Sequence, residues 1–191
     1  ITMSSGTATV GAVSVHDNTG AGLTQSGGTA TLGSGGTTTV AANSTKGVAL
    51  SGGTLNVGAT NITTNGGDGV TITGGATLNS NTGAAYTGNG GNGISSTAST
   101  LVFNSTAAAP ISVSGNTGDG IFVSGGSLTA NYLTLATNGT GTTKKSGLEI
   151  VGAAAINQGV ATEAALSFTG NGLHGVNVNG RTSGWQMDMC K

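Results

Sequence analysis

The sequence predicts an all-β fold, a parallel β-helix of about seven coils, each built from about 24 residues and three short strands. Three observations carry this: a composition suited to tightly turned sheet, an asparagine motif that returns at a near-constant interval, and period-2 alternation of apolar residues between its returns. The 191 residues include 38 glycines, one proline and 6% charged residues, yet 35% are hydrophobic. Linkers and disordered tails lack that apolar content, whereas small and β-branched residues set between glycines suit a pleated, half-buried surface.

An apolar residue followed three positions later by Asn recurs as Val15/Asn18, Val40/Asn43, Ile62/Asn65, Tyr86/Asn89, Val113/Asn116, Leu135/Asn138 and Phe168/Asn171. In six of these seven, the glycine four residues beyond the Asn precedes Leu, Val or Ile, at Gly22, Gly47, Gly69, Gly93, Gly120 and Gly175. After Asn138 the equivalent glycine, Gly147, comes only past an insertion. A first strand then reads G-Φ-x-Φ, as in Val48/Leu50, Val70/Ile72, Ile121/Val123, Leu148/Ile150 and Val176/Val178. A second reads G-x-Φ-x-Φ five or six residues on: Ala8/Val10, Ala30/Leu32, Leu55/Val57, Ala76/Leu78, Leu128/Ala130 and Ala154/Ile156. The third, as Val13/Val15, Ile111/Val113, Leu133/Leu135 and Leu166/Phe168, runs into the Asn. Alternation of this period is strand, not helix.

Stacking coils at about 4.8 Å pairs each strand with its equivalent in the next and gives a prism about 35 Å long. One coil offers roughly six inward side chains at about 1.5–3 kcal/mol each. That does not offset ordering of some 24 residues at about 1–2 kcal/mol each, so coils are stable only when stacked. The Asn is expected at a corner, in left-handed backbone, with its amide bonded to the Asn above and below. The column is expected to contain Asn18, Asn43, Asn65, Asn89, Asn116 and Asn171; Asn138, beside the insertion, is not placed in it. The β-helix is expected over residues 1–180, with 181–191 an irregular tail or cap.

The motif N-x-x-[DN]-G-[VI], as NGGDGV (65–70), NGGNGI (89–94) and NTGDGI (116–121), resembles the right-handed parallel β-helix repeat of the pectin-lyase-like superfamily. Right-handedness is the expectation from this resemblance and from the usual crossover preference. The wording SGGTLNV, TGGATL and SGGSLTA, with [FYVIL]-x-x-N, resembles passenger domains of Gram-negative autotransporters, including adhesins and the polymorphic outer-membrane proteins. The likeness covers Gly6 to about Gly180. It implies a protein that is secreted or on the bacterial cell surface, an adhesin-like stalk without catalysis or cofactor. Its partner would be a host surface protein, a glycan or a second copy of itself. The family's translocating barrel and a signal peptide are not in this sequence, which on that reading is a fragment.

Composition weighs against other classes. Five Lys plus Arg against six Asp plus Glu leave no basic stripe for nucleic acid and no polybasic membrane patch, and six aromatic residues give no stacking platform. No run of about eighteen apolar residues suggests membrane insertion by this segment. The single cysteine, Cys190, makes no internal disulfide. Glycine pairs such as Gly66-Gly67 lack the G-K-[ST] and helix of a phosphate loop. The rival reading is a polysaccharide lyase or hydrolase, or a tailspike-like glycan binder. One corner position aligns Ala21, Lys46, Asp68, Asn92, Asp119 and His174, which puts Asp68 and Asp119 about 10 Å apart. Asn92 between them and the corner setting favour a structural role, and two carboxylates are few for calcium.

Thr7/Thr9 and Thr29/Thr31 suggest an ice-binding array, which the continuation Thr54/Asn56 and Thr77/Asn79 is expected to dissolve. Regularity breaks at residues 104–110 and 157–165, which lengthen one corner, and at 139–146, which lengthen another. Contact is expected there, through Asn104, Pro110, Thr143, Lys144, Lys145, Gln158 and Glu163, and along the polar flanks. Deleting 139–146 is expected to weaken binding without changing thermal unfolding.

Overall fold

The computed structural model describes residues 1–158 and 166–180. Glu163 and the 181–191 tail lie outside them. The first coil holds β1 (Thr2–Met3), β2 (Thr7–Val10) and β3 (Ser14–His16), and the second β4 (Leu23–Gln25), β5 (Thr29–Leu32) and β6 (Thr38–Ala41). The third holds β7 (Val48–Leu50), β8 (Thr54–Val57) and β9 (Thr60–Thr63), and the fourth β10 (Val70–Ile72), β11 (Thr77–Asn81) and β12 (Ala84–Thr87). The next coils pair β13 (Ile94–Asn104) with β14 (Ile111–Ser114), β15 (Ile121–Ala130) with β16 (Leu133–Ala136), and β17 (Leu148–Gln158) with β18 (Leu166–Thr169). An eighth coil opens with β19 (Val176–Asn179).

Every strand-to-strand pairing between coils is parallel, and strand n pairs with its equivalent one coil away, as the repeat requires. The chain is thus a parallel β-solenoid of about seven turns, with three faces. Face one carries β1, β4, β7, β10 and the first halves of β13, β15 and β17; face two carries β2, β5, β8, β11 and their second halves; face three carries β3, β6, β9, β12, β14, β16 and β18.

In the later coils the expected three separate strands become two, because β13, β15 and β17 pass through the first corner unbroken. The bend there is made by left-handed residues inside one strand: Ala98 in β13, Gly125 and Gly126 in β15, and Gly152 in β17. Leu78, Leu101, Leu128 and Ile156 stand in register with Leu55. In the fourth and seventh coils the second strand therefore lies about two residues further on than the pairs Ala76/Leu78 and Ala154/Ile156 suggest.

Inward side chains form columns along the axis. On face one, Leu23, Val48, Val70, Ile94, Ile121 and Leu148 stack in register and are buried. On face three the column reads Val15, Val40, Ile62, Tyr86, Val113, Leu135 and Phe168, the apolar residues of the asparagine motif. Tyr86 is fully buried, and its hydroxyl donates to Ser80 Oγ at 2.8 Å. Burial raises that phenol above its ordinary range, against the smaller opposite pull of the Ser80 hydrogen bond.

Outward residues of face two form two columns. The first runs Thr7, Thr29, Thr54, Thr77, Thr100 and Ser127 in unbroken register, and the second Thr9, Thr31, Asn56, Asn79, Val102 and Thr129. The pairing of threonines ends after two coils, as expected, because Asn56 and Asn79 take the second column, while the first column keeps a hydroxyl residue as far as Ser127.

Candidate functional site: two side-chain ladders and the surface they leave

The asparagine column exists, and it includes Asn138. Side-chain amides bond in sequence from Asn18 through Asn43, Asn65, Asn89, Asn116 and Asn138 to Asn171, with Nδ2 to Oδ1 distances of 2.7, 2.9, 3.0, 3.0, 2.9 and 3.1 Å. Each Oδ1 also accepts the backbone N–H of the preceding Asn in the column. The second Nδ2 proton goes to a backbone carbonyl one coil back: Val15, Val40, Ile62, Tyr86, Val113 and Leu135 for Asn43 through Asn171. Those carbonyls belong to the apolar member of the Φ-x-x-N motif. Its two recurring positions thus form one device, which from Asn43 to Asn138 is a buried amide whose donors and acceptor are all used.

The left-handed residue is not the Asn but its predecessor. Asp17, Ala42, Thr64 and Thr137 have φ between 51° and 56°, and Gly88, Gly115 and Gly170 between 61° and 65°. This kink turns the chain so that the following Asn points its amide along the stack. At a non-glycine residue it costs about 1–2 kcal/mol, which the satisfied ladder offsets. The glycine after the corner is required by space. A Cβ at Gly93 would stand 2.6 Å from the Gly120 carbonyl oxygen and 2.8 Å from Asn116 Nδ2, and one at Gly69 meets Gly93 and Asn89 at the same distances.

The corner position with the carboxylates makes a second ladder, which links side chain to backbone. Asp68 Oδ1 accepts the Asn92 N–H, Asn92 Oδ1 the Asp119 N–H, and Asp119 Oδ1 the Ser146 N–H, each at 2.7 Å. Thr71 donates to the other oxygen of Asp68 at 3.0 Å. Asp119 is buried, and Lys145 Nζ lies 3.7 Å from its Oδ2. The residue following Asp119 in this column is Ser146; the sequence alignment, which passed from Asp119 to His174, skipped that coil because of the insertion. Asp68 and Asp119 hold backbone amides of successive coils, with Asn92 between them. Among the described residues no three His, Cys, Asp or Glu side chains converge as metal ligands.

The insertion is shorter than it looks. Lys145 N–H donates to the Gly139 carbonyl, Gly120 N–H to Ser146, and Leu173 N–H to Lys145. Asn138, Gly139, Lys145, Ser146 and Gly147 therefore match NTGDG (116–120), and only residues 140–144 project. Deleting 139–146 would remove Ser146 from the second ladder and lower thermal stability, contrary to the expectation from sequence. Deleting 140–144 is expected to leave the melting midpoint within about 2–4 °C of the parent, the shift of about 1 kcal/mol in a domain of this size. A larger loss read by circular dichroism would show that the loop supports the stack.

The candidate contact residues do not form one site. Asn104 and Pro110 are exposed on the corner between faces two and three, where Ser105 Oγ is anchored on the Tyr132 carbonyl and Thr106 bridges Ala109. Thr143, Lys144 and Lys145 are exposed on the corner between faces three and one. Gln158 ends β17 opposite Ala130.

Charge is segregated among the described residues. Asp17, Lys46, Asp68, Asp119, Lys144 and Lys145 lie around the ladder corner and Glu149 on face one, while the outward columns of faces two and three carry no charged residue except the titratable His16 at one end. No protein-family model, curated protein or solved structure matches the chain.

Proposed function

We propose that the chain is an adhesin-like attachment module of the autotransporter-passenger kind, displayed outside a bacterial cell, which holds its target through uncharged flanks and not by catalysis. The segregation of charge carries the reading. Two of three faces present hydroxyl, amide and methyl groups at a regular interval, a surface for many additive hydrogen bonds without the aromatic and arginine anchors of a tight interface. Such contact gives weak attachment from one copy and firm attachment from many on one surface. The use of Asp68 and Asp119 as ladder rungs supports this reading over a polysaccharide lyase or hydrolase.

The test uses beads coated densely with the chain and passed over surfaces of neutral polysaccharide, acidic polysaccharide, extracellular protein or the chain itself. Retention of dense beads on one surface, with little retention of sparse beads and no release of reducing ends or unsaturated product, is the expected result. Turnover lost in both Asp68→Asn and Asp119→Asn, with both variants folded by circular dichroism, would replace attachment by catalysis.

A further inference from the structure

We propose that face two binds crystalline water. This deepens the attachment reading, on which it rests, by naming which flank makes contact and with what. The face combines four properties that suit a solid hydrogen-bonded lattice. Its two outward columns repeat at about 4.8 Å along the axis and about 6.8 Å along each strand, a two-dimensional grid and not a line. The pairing that sets the grid is without a shift from β2 to β15; the one register irregularity falls between Ser124 and Gly126, at the corner outside the grid. Threonine, the commonest residue on it, is branched at Cβ and stiff at χ1, so that hydroxyl and methyl are held in place before contact. No charged side chain, with its strongly held water, lies in the grid.

Other occupants fit less well. A sugar chain in solution is usually gripped by aromatic faces or a groove, and no outward residue of the grid is aromatic. A second copy would bury about 400 Å² of the face per partner, from six strands of about 13 Å, against about 800 Å² in a standard interface. Neither limit applies to an extended crystal plane, which meets every rung with the same geometry. Asn79 Nδ2 donates to Asn56 Oδ1 at 2.9 Å, so the amides are held in line with the threonines beside them.

The test grows ice slowly from a dilute solution of the whole chain and a non-binding protein of similar size, and observes the shape of a single crystal held in the same solution. The chain is expected to be enriched in the ice relative to the companion protein and to facet the crystal. Thr77→Tyr, a bulky side chain at the centre of the grid, should lower that enrichment about tenfold; Asn61→Tyr, exposed on face three, should not. Thr54→Lys, which adds charge, is the second variant should Thr77→Tyr unfold by circular dichroism. No enrichment of the parent chain, or equal loss in the face-two and face-three variants, overturns the inference. If ice is not bound but dense beads still hold one of the surfaces above, attachment stands and ice is not the target; if neither occurs, both readings fall.

Discussion

Asn89→Ala is expected to destabilise the solenoid by about 3–5 kcal/mol, and Asn18→Ala by less than about 1 kcal/mol. Asn89 is buried, and its Oδ1 accepts the N–H of Asn65 at 3.1 Å and Nδ2 of Asn65 at 3.0 Å. Its own Nδ2 donates to Asn116 Oδ1 at 3.0 Å and to the Ile62 carbonyl at 3.2 Å. Alanine leaves two buried donors of Asn65 without an acceptor and the Ile62 carbonyl without this donor, and each buried orphan costs about 1–3 kcal/mol. Asn89→Asp should be nearly as harmful, because it keeps the acceptor but turns an oxygen toward Asn116 Oδ1 and the Ile62 carbonyl. Asn18 is exposed at the end of the column, where water replaces what is lost. Repeat arrays depart from two-state unfolding, so urea midpoints should be read with amide exchange at Asn65 and Asn116. Equal losses for Asn18→Ala and Asn89→Ala would show that burial of the rung does not matter.

The parallel solenoid and most of the ladder were legible in the sequence because both follow from a repeat. A residue that must meet its equivalent one coil away is visible wherever the coil length is near constant. Asn138 and Ser146 were lost for the opposite reason. Five inserted residues moved Gly147 away from Asn138, and the pattern broke on the page although the backbone closes over the insertion through Gly139 and Lys145. The carboxylates were located and given a structural role, but the backbone amides they hold were not foreseen. Nothing in the spelling of NGGDGV tells whether Asp68 faces solvent or the N–H of Asn92, since that depends on the corner's geometry. The same holds for the assignment of left-handed backbone to Asn: its tolerance of that region is a general preference, whereas here the amide is needed along the axis, and the kink falls on Thr64 or Gly88 before it.

Glycine is the residue whose purpose the sequence leaves most ambiguous, and two substitutions with opposite expected signs separate its uses. Gly93 has no left-handed φ; what it lacks room for is a side chain. The Cβ of Gly93→Ala would stand 2.5 Å from Val113 Cγ1, 2.6 Å from the Gly120 carbonyl oxygen and 2.8 Å from Asn116 Nδ2. Two of these are backbone or ladder atoms already fixed by hydrogen bonds, and the third belongs to a buried core column. Relief therefore requires the stacked corners 89–93 and 116–120 to separate locally, which stretches the Asn89–Asn116 rung and the Gly93 to Asp119 backbone bond together. Overpacking of this kind costs about 1–3 kcal/mol, and the shared hydrogen bonds put Gly93→Ala at the upper end. Gly20 precedes the corner glycine of the first ladder, has no atom within 4 Å of an added Cβ, and also lacks a left-handed φ. Gly20→Ala should leave the folded state unchanged and restrict only the unfolded chain, which stabilises by about 0.4–1 kcal/mol. Urea denaturation of the two variants beside the parent decides the matter: midpoints shifted in opposite directions support close approach at Gly93, and a Gly93→Ala midpoint equal to the parent's would mean that the coils can part there without loss.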